Sequence, residues 1–187
     1  MNIETLWARG RELRAKKREN RDYAYRQLIE LYDAFLGSDP SDGDRESAMQ
    51  DRCTSQLVFK HLDDARASVI VLLETFPDSV MTLSYASSFY ALGLDEYDKG
   101  LSLAQRAVAL AGDGGDYTIY SLNELCRIAR HAGRFDVMQQ AMRSMLATHR
   151  NPGLPFQDVE GDYLRNMPEG AVPDDLLEAM LVRSRKK

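Results

Sequence analysis

Histidine, cysteine and tryptophan are scarce in this chain, at three, two and one among 187 residues. That shortage narrows the chemistry at once. Cys53 and Cys126 stand 73 residues apart and share no spacing typical of zinc sites or redox pairs. Reduced thiols in a cytoplasmic protein are therefore expected. His61, His131 and His149 each fall at or near a helix end, where the carbonyl end of the dipole favours a cation. None lies one helical turn from a second ligand, so the zinc-hydrolase pattern is missing. Long apolar runs are missing too. The longest aliphatic stretch, Val69-Ile70-Val71-Leu72-Leu73, falls far short of the roughly 20 residues that span a bilayer, and no membrane insertion is expected. The first 20 residues carry positive charge without an apolar segment, unlike a secretory signal, and Glu4, Glu12 and Glu19 are out of place in a mitochondrial transit peptide.

No phosphate loop is present. Gly112-Asp113-Gly114-Gly115 lacks the lysine that would reach a phosphate and simply joins two helices. The acidic stretch Ser38-Asp39-Pro40-Ser41-Asp42-Gly43-Asp44 fails as a calcium loop. Taking Gly43 as the loop glycine puts Pro40 at a ligand position and Met49 where the bidentate glutamate belongs. Asp63-Asp64 and Asp174-Asp175 sit at helix starts, which the dipole explains. No catalytic residue, metal site or cofactor is expected, and the chain does not read as an enzyme.

The net charge of −5 hides an uneven distribution. Residues 1–26 hold eight basic side chains against four acidic ones, and Arg183, Arg185, Lys186 and Lys187 add four more positive charges at the other end. Residues 27–182 are left with 12 basic and 25 acidic side chains. So acidic a body disfavours nucleic acid, whose nonspecific binding depends on clustered cations releasing counterions.

Periodicity points to helices throughout. Asn2 caps a helix opening at Ile3, and Gly37 stops it after Leu36, with Ala24, Leu28, Leu31, Tyr32 and Phe35 on one stripe. Its upstream half, Gly10 to Arg18, has few apolar anchors and is expected to project into solvent or fray. With only Leu6, Trp7 and Leu13 as large anchors, the first 18 residues are expected to be dispensable for folding. From Arg45 the helices pair. The first pair buries Met49, Cys53 and Leu57, turns at Lys60-His61-Leu62, then buries Ala65, Val69, Leu72, Leu73 and Phe76 before Pro77. The second carries Leu83, Ala86, Ser87 and Tyr90, then Tyr97, Leu101, Ala104 and Val108, ending at Gly112. Asp116 caps the third, which carries Ile119, Leu122, Leu125, Cys126 and Ala129 to Gly133. Phe135, Met138, Met142, Met145 and Leu146 follow as core, with a break at Asn151-Pro152.

Pairs recurring at this spacing suggest a helical repeat. Ala91-Leu92-Gly93 followed by Glu96-Tyr97-Asp98 parallels His131-Ala132-Gly133 followed by Arg134-Phe135-Asp136. The first pair adds Asp64-Ala65 and, twelve residues after that alanine, Pro77. On these residues, segment 45–150 resembles the tetratricopeptide repeat family. Small residues where the first helix packs closest to the second fall on Cys53, Ser87 and Cys126. Lys60 stands in place of the turn glycine, Gly100 and Met138 in place of alanine, and the middle pair needs one or two extra turn residues.

The resemblance implies an all-α fold, a right-handed stack of antiparallel helix pairs forming a TPR-like α-solenoid. One helical domain over 1–187 would comprise an N-terminal helix with a basic start (1–37), three pairs (45–150) and a capping segment (151–187). In that segment Leu154, Phe156, Tyr163 and Leu164 follow Pro152, and a helix after Val172-Pro173 carries Leu176, Leu177, Met180 and Leu181 onto the Met138, Met142 and Leu146 surface. First helices line a concave groove in such stacks. This places Gln50 and Thr54, Ser84 and Ser88, and Asn123, Arg127 and Arg130 as partner-binding residues. The last three share a helix face and offer donors to a peptide carboxylate or acidic side chain. The implied function is an adaptor binding a peptide or helix of another protein. The alternative is a dedicated chaperone or immunity-type inhibitor that masks a basic partner through its acidic surface.

Overall fold

The computed structural model describes residues 1–148 and 161–185 and contains no strand among them. Two compact units divide the chain, Met1–Pro77 and Asp78–Lys187, and each is described by itself. Among the described residues no helix is long and apolar enough to cross a membrane.

The first unit holds α1 (Ile3–Ala15), α2 (Arg21–Leu36), α3 (Asp42–Val58) and α4 (Leu62–Thr75). Asn2 caps α1 as expected, its Oδ1 accepting the Thr5 N–H at 2.8 Å. The single N-terminal helix, however, is two. A 3-10 turn, Lys16–Arg18, ends α1, and Asn20 opens α2 by accepting the Tyr23 N–H at 3.1 Å. Asparagine's competition for backbone donors makes it a cap here, which breaks the helix.

The expectation that α1 projects into solvent is also overturned. Leu6 is 0% exposed and joins Ala24, Leu28, Tyr32, Phe35, Ala48 and Phe59 in one core. Gly10 lets α1 approach Tyr32, whose hydroxyl would lie 3.3 Å from a Cβ there. Arg14 supplies the remaining anchor, its Nη1 donating to Ser55 Oγ at 2.8 Å and to Tyr32 Oη and Asp51 Oδ1 at 3.1 Å each. Tyr32 donates in turn to Asp51 Oδ2 at 2.5 Å, and burial followed by that carboxylate pushes its phenol up to about 12. The network draws Ser55 inside, so α3 buries Ala48, Cys53, Ser55 and Gln56 and leaves Met49 and Leu57 half-buried.

The second unit holds α5 (Val80–Ser88), a π-helical turn (Phe89–Gly93), α6 (Tyr97–Ala111), α7 (Thr118–His131), α8 (Phe135–Ala147), α9 (Gly161–Arg165) and α10 (Asp174–Arg185). Here α5 touches both α6 and α7, α6 touches α7, α7 touches α8, and α8 touches α10. Helix α7 opens after Tyr117 rather than on an Asp116 cap. Thr118 Oγ1 instead donates to the carbonyls of Gly112 and Gly115 at 2.9 Å each, tightening the approach loop.

Three turns share one backbone form. Lys60, Asp95 and Gly133 take φ of +63°, +58° and +67°. The next residues, His61, Glu96 and Arg134, all have φ of −90° with ψ of 71°, 67° and 68°. His61 N–H closes on the Gln56 carbonyl and Arg134 N–H on that of Ala129, the paired-carbonyl ending common after helices. Glu96 N–H reaches one residue further back, to Tyr90. The π turn absorbs that extra residue, so the left-handed position of the middle turn is Asp95 rather than Gly93.

The π turn also explains Gly100. A Cβ there would lie 2.6 Å from Ala91 Cβ and 2.7 Å from the Ser87 carbonyl. Glycine inside an exposed helix ordinarily costs about 1 kcal/mol relative to alanine, so Gly100→Ala would be stabilising on propensity alone. Contacts this short with backbone outweigh that gain. Gly100→Ala is expected to destabilise by about 1–3 kcal/mol in thermal or urea unfolding, as overpacked cores do. A rise in Tm would show that α6 can move away from Ala91 at no cost.

Leu164, Ala171, Val172, Leu176 and Met180 join the core of Met138, Met142 and Met145. The methionine stripe is thus core, and α10 packs on α8, where the sequence placed it. His149, the break at Asn151-Pro152, Leu154 and Phe156 lie outside the described residues.

Candidate functional site

The partner-binding candidates of the first unit, Gln50 and Thr54, sit on α3. Gln50 Nε2 donates to Glu46 Oε1 at 3.4 Å, and Thr54 Oγ1 donates to the Gln50 carbonyl at 3.0 Å. Both bonds are local to the helix, the usual behaviour of side chains on a helix surface.

In the second unit, α5 and α7 bring two of the remaining candidates together, Ser88 and Arg127. Ser84 is 1% exposed, and its Oγ has no hydrogen-bond partner. It lies inside the α5 packing rather than in an open groove. One turn on, Ser88 Oγ hydrogen-bonds Glu124 Oε2 and accepts from Arg127 Nη2 at 2.8 Å. Arg127 Nη2 also meets Glu124 Oε2 at 2.6 Å, yet 42% of its side chain remains exposed. Its Nε is buried and lacks a partner. Asn123 sits half-buried on the same helix.

Arg130 faces a different neighbour. Its guanidinium lies 4.6 Å from the Tyr163 ring centroid, and its Nη2 donates to the Asn166 carbonyl at 2.6 Å. Tyr163 Oη donates to the Cys126 carbonyl at 3.3 Å. Burial leads in raising this phenol to about 12. The sequence put Arg127 and Arg130 on one face, but each has its own internal partner. Glu124 was findable, three residues before Arg127 on the helix. Tyr163 and Asn166 were not, since no periodicity links α7 to a five-residue helix so far along the chain.

A second feature escaped the sequence reading entirely. In the first unit α2 and α4 form the walls, and α3 the floor, of a groove with two contiguous hollows of about 480 and 270 Å³. Tyr25 stands at one end, stacked on His61 at 3.7 Å between centroids and donating to Asp64 Oδ2 at 2.8 Å. Burial first, then Asp64, pushes its phenol up to about 12. Leu36, Met49 and Val71 line the other end. On the floor, Gln56 Oε1 and Arg52 Nε are both buried without hydrogen-bond partners. The Arg52 Nη1 is held by Asp33 at 2.7 Å. The small residues Ala67 and Ser68 of α4 keep the groove open; such a gap between helices has no sequence signature of its own.

Cys53 and Cys126 are buried, and burial pushes both thiols up to about 12, so neither offers a thiolate at neutral pH. Cys126 packs where α7 meets α8, its Sγ 3.5 Å from the Met138 carbonyl. Among the described residues no three His, Cys, Asp or Glu side chains gather as a metal site. No family model, curated protein or solved structure matches the chain.

Proposed function

We propose that this chain is a protein-binding scaffold rather than an enzyme, built as a TPR-like stack of antiparallel helix pairs. It takes a peptide or helix of a partner protein on the face shared by α5 and α7. The repeat reading is supported by the turns at Lys60, Asp95 and Gly133, whose backbones coincide, and by the succession of contacts from α5 to α8. It is supported also by Ser87 against Gly100 and Cys126 against the Met138 backbone, a small residue of each first helix meeting the start of the second.

The observation that carries the binding reading is the half-exposed Arg127 guanidinium, held across two helices by Ser88 and Glu124. Rigid elements position it, and an arginine fork suits a carboxylate. A partner's carboxylate would exchange with Glu124, and the arginine would already be oriented.

Changing Arg127→Glu together with Arg130→Glu tests this. The double minima of the helical circular dichroism spectrum should be retained. Affinity for the protein that co-purifies from the native host should fall at least about tenfold, a loss of roughly 1.4 kcal/mol. Unaltered affinity in a folded double variant removes this face from the mechanism. Association slowing steeply with added salt would then favour the rival reading, a chaperone or inhibitor whose acidic surface covers a basic partner.

A further inference from the structure

We draw no further inference here: the strongest candidate, the groove between α2 and α4 in the Met1–Pro77 unit, carries nothing, because Gln56 Oε1 and Arg52 Nε are inaccessible from it and nothing in the structure shows what covers it.

Discussion

Leu6→Ala should lower the stability of the Met1–Pro77 unit by about 2–5 kcal/mol, the usual cost of a cavity left by a buried leucine. Leu6 is completely buried among Ala24, Leu28 and Tyr32. For a unit of this size that loss corresponds to a fall in Tm of roughly 8 °C or more. Trp7, the chain's single tryptophan, lies in the same helix and is 37% exposed. Its fluorescence therefore follows the unit without itself carrying the packing. Deleting residues 1–18 should destabilise more than the point change. It removes Leu6 and also strips Arg14 from Asp51 and Ser55, leaving a carboxylate that is 20% exposed without its cation. Breaking a partly buried pair in this way costs more than the pair's net worth, because the desolvated partner stays behind. A Tm within about 2 °C of the parent in both variants would return α1 to the status of a solvent-exposed tail.

That helix shows where a periodicity reading stops. Ala24, Leu28, Tyr32 and Phe35 announced the buried stripe of α2 because they are apolar and fall at helical spacing. In α1 the stripe is Leu6, Gly10 and Arg14, at the same spacing, but two of the three are not apolar. Gly10 acts by making room, and Arg14 by hydrogen bonds to residues 18, 37 and 41 positions away. Neither effect is visible in hydropathy. The turns divide in a similar way. Gly133 was legible as a left-handed position because glycine favours it. Lys60 takes the same conformation against its own preference, imposed by the helices on either side, and Asp95 is a residue that only tolerates it. At the candidate site, the shared face of Asn123, Arg127 and Arg130 was legible from spacing along one helix. What each arginine touches was not, since Ser88, Tyr163 and Asn166 come from other elements. The α2–α4 groove had still less to announce it, because it depends on three helices and on the smallness of Ala67 and Ser68.

Ending the chain at Asn151 should convert the protein into one that self-associates, read by light scattering after size-exclusion chromatography. The described part of the removed segment contributes Leu164, Ala171, Val172, Leu176 and Met180 to the core of the second unit, against Met138, Met142 and Met145. Without them the methionine face meets water, together with Leu146, as a contiguous apolar patch of the kind monomers rarely expose. The loss is more than apolar. Arg183 Nη1 donates to the carbonyls of Met145 and Thr148, at 3.1 Å for the latter, and so satisfies the last turn of α8. The basic end of α10 thus caps its neighbour rather than serving its own dipole alone. Met180→Ala isolates the packing from the deletion. With Met180 buried to 1% exposure, the substitution should cost about 2–5 kcal/mol while leaving the chain monomeric. A truncated chain that stays monomeric with an unchanged Tm would mean that α7 and α8 close their own apolar side, and the segment's contacts with α8 contribute nothing to the fold.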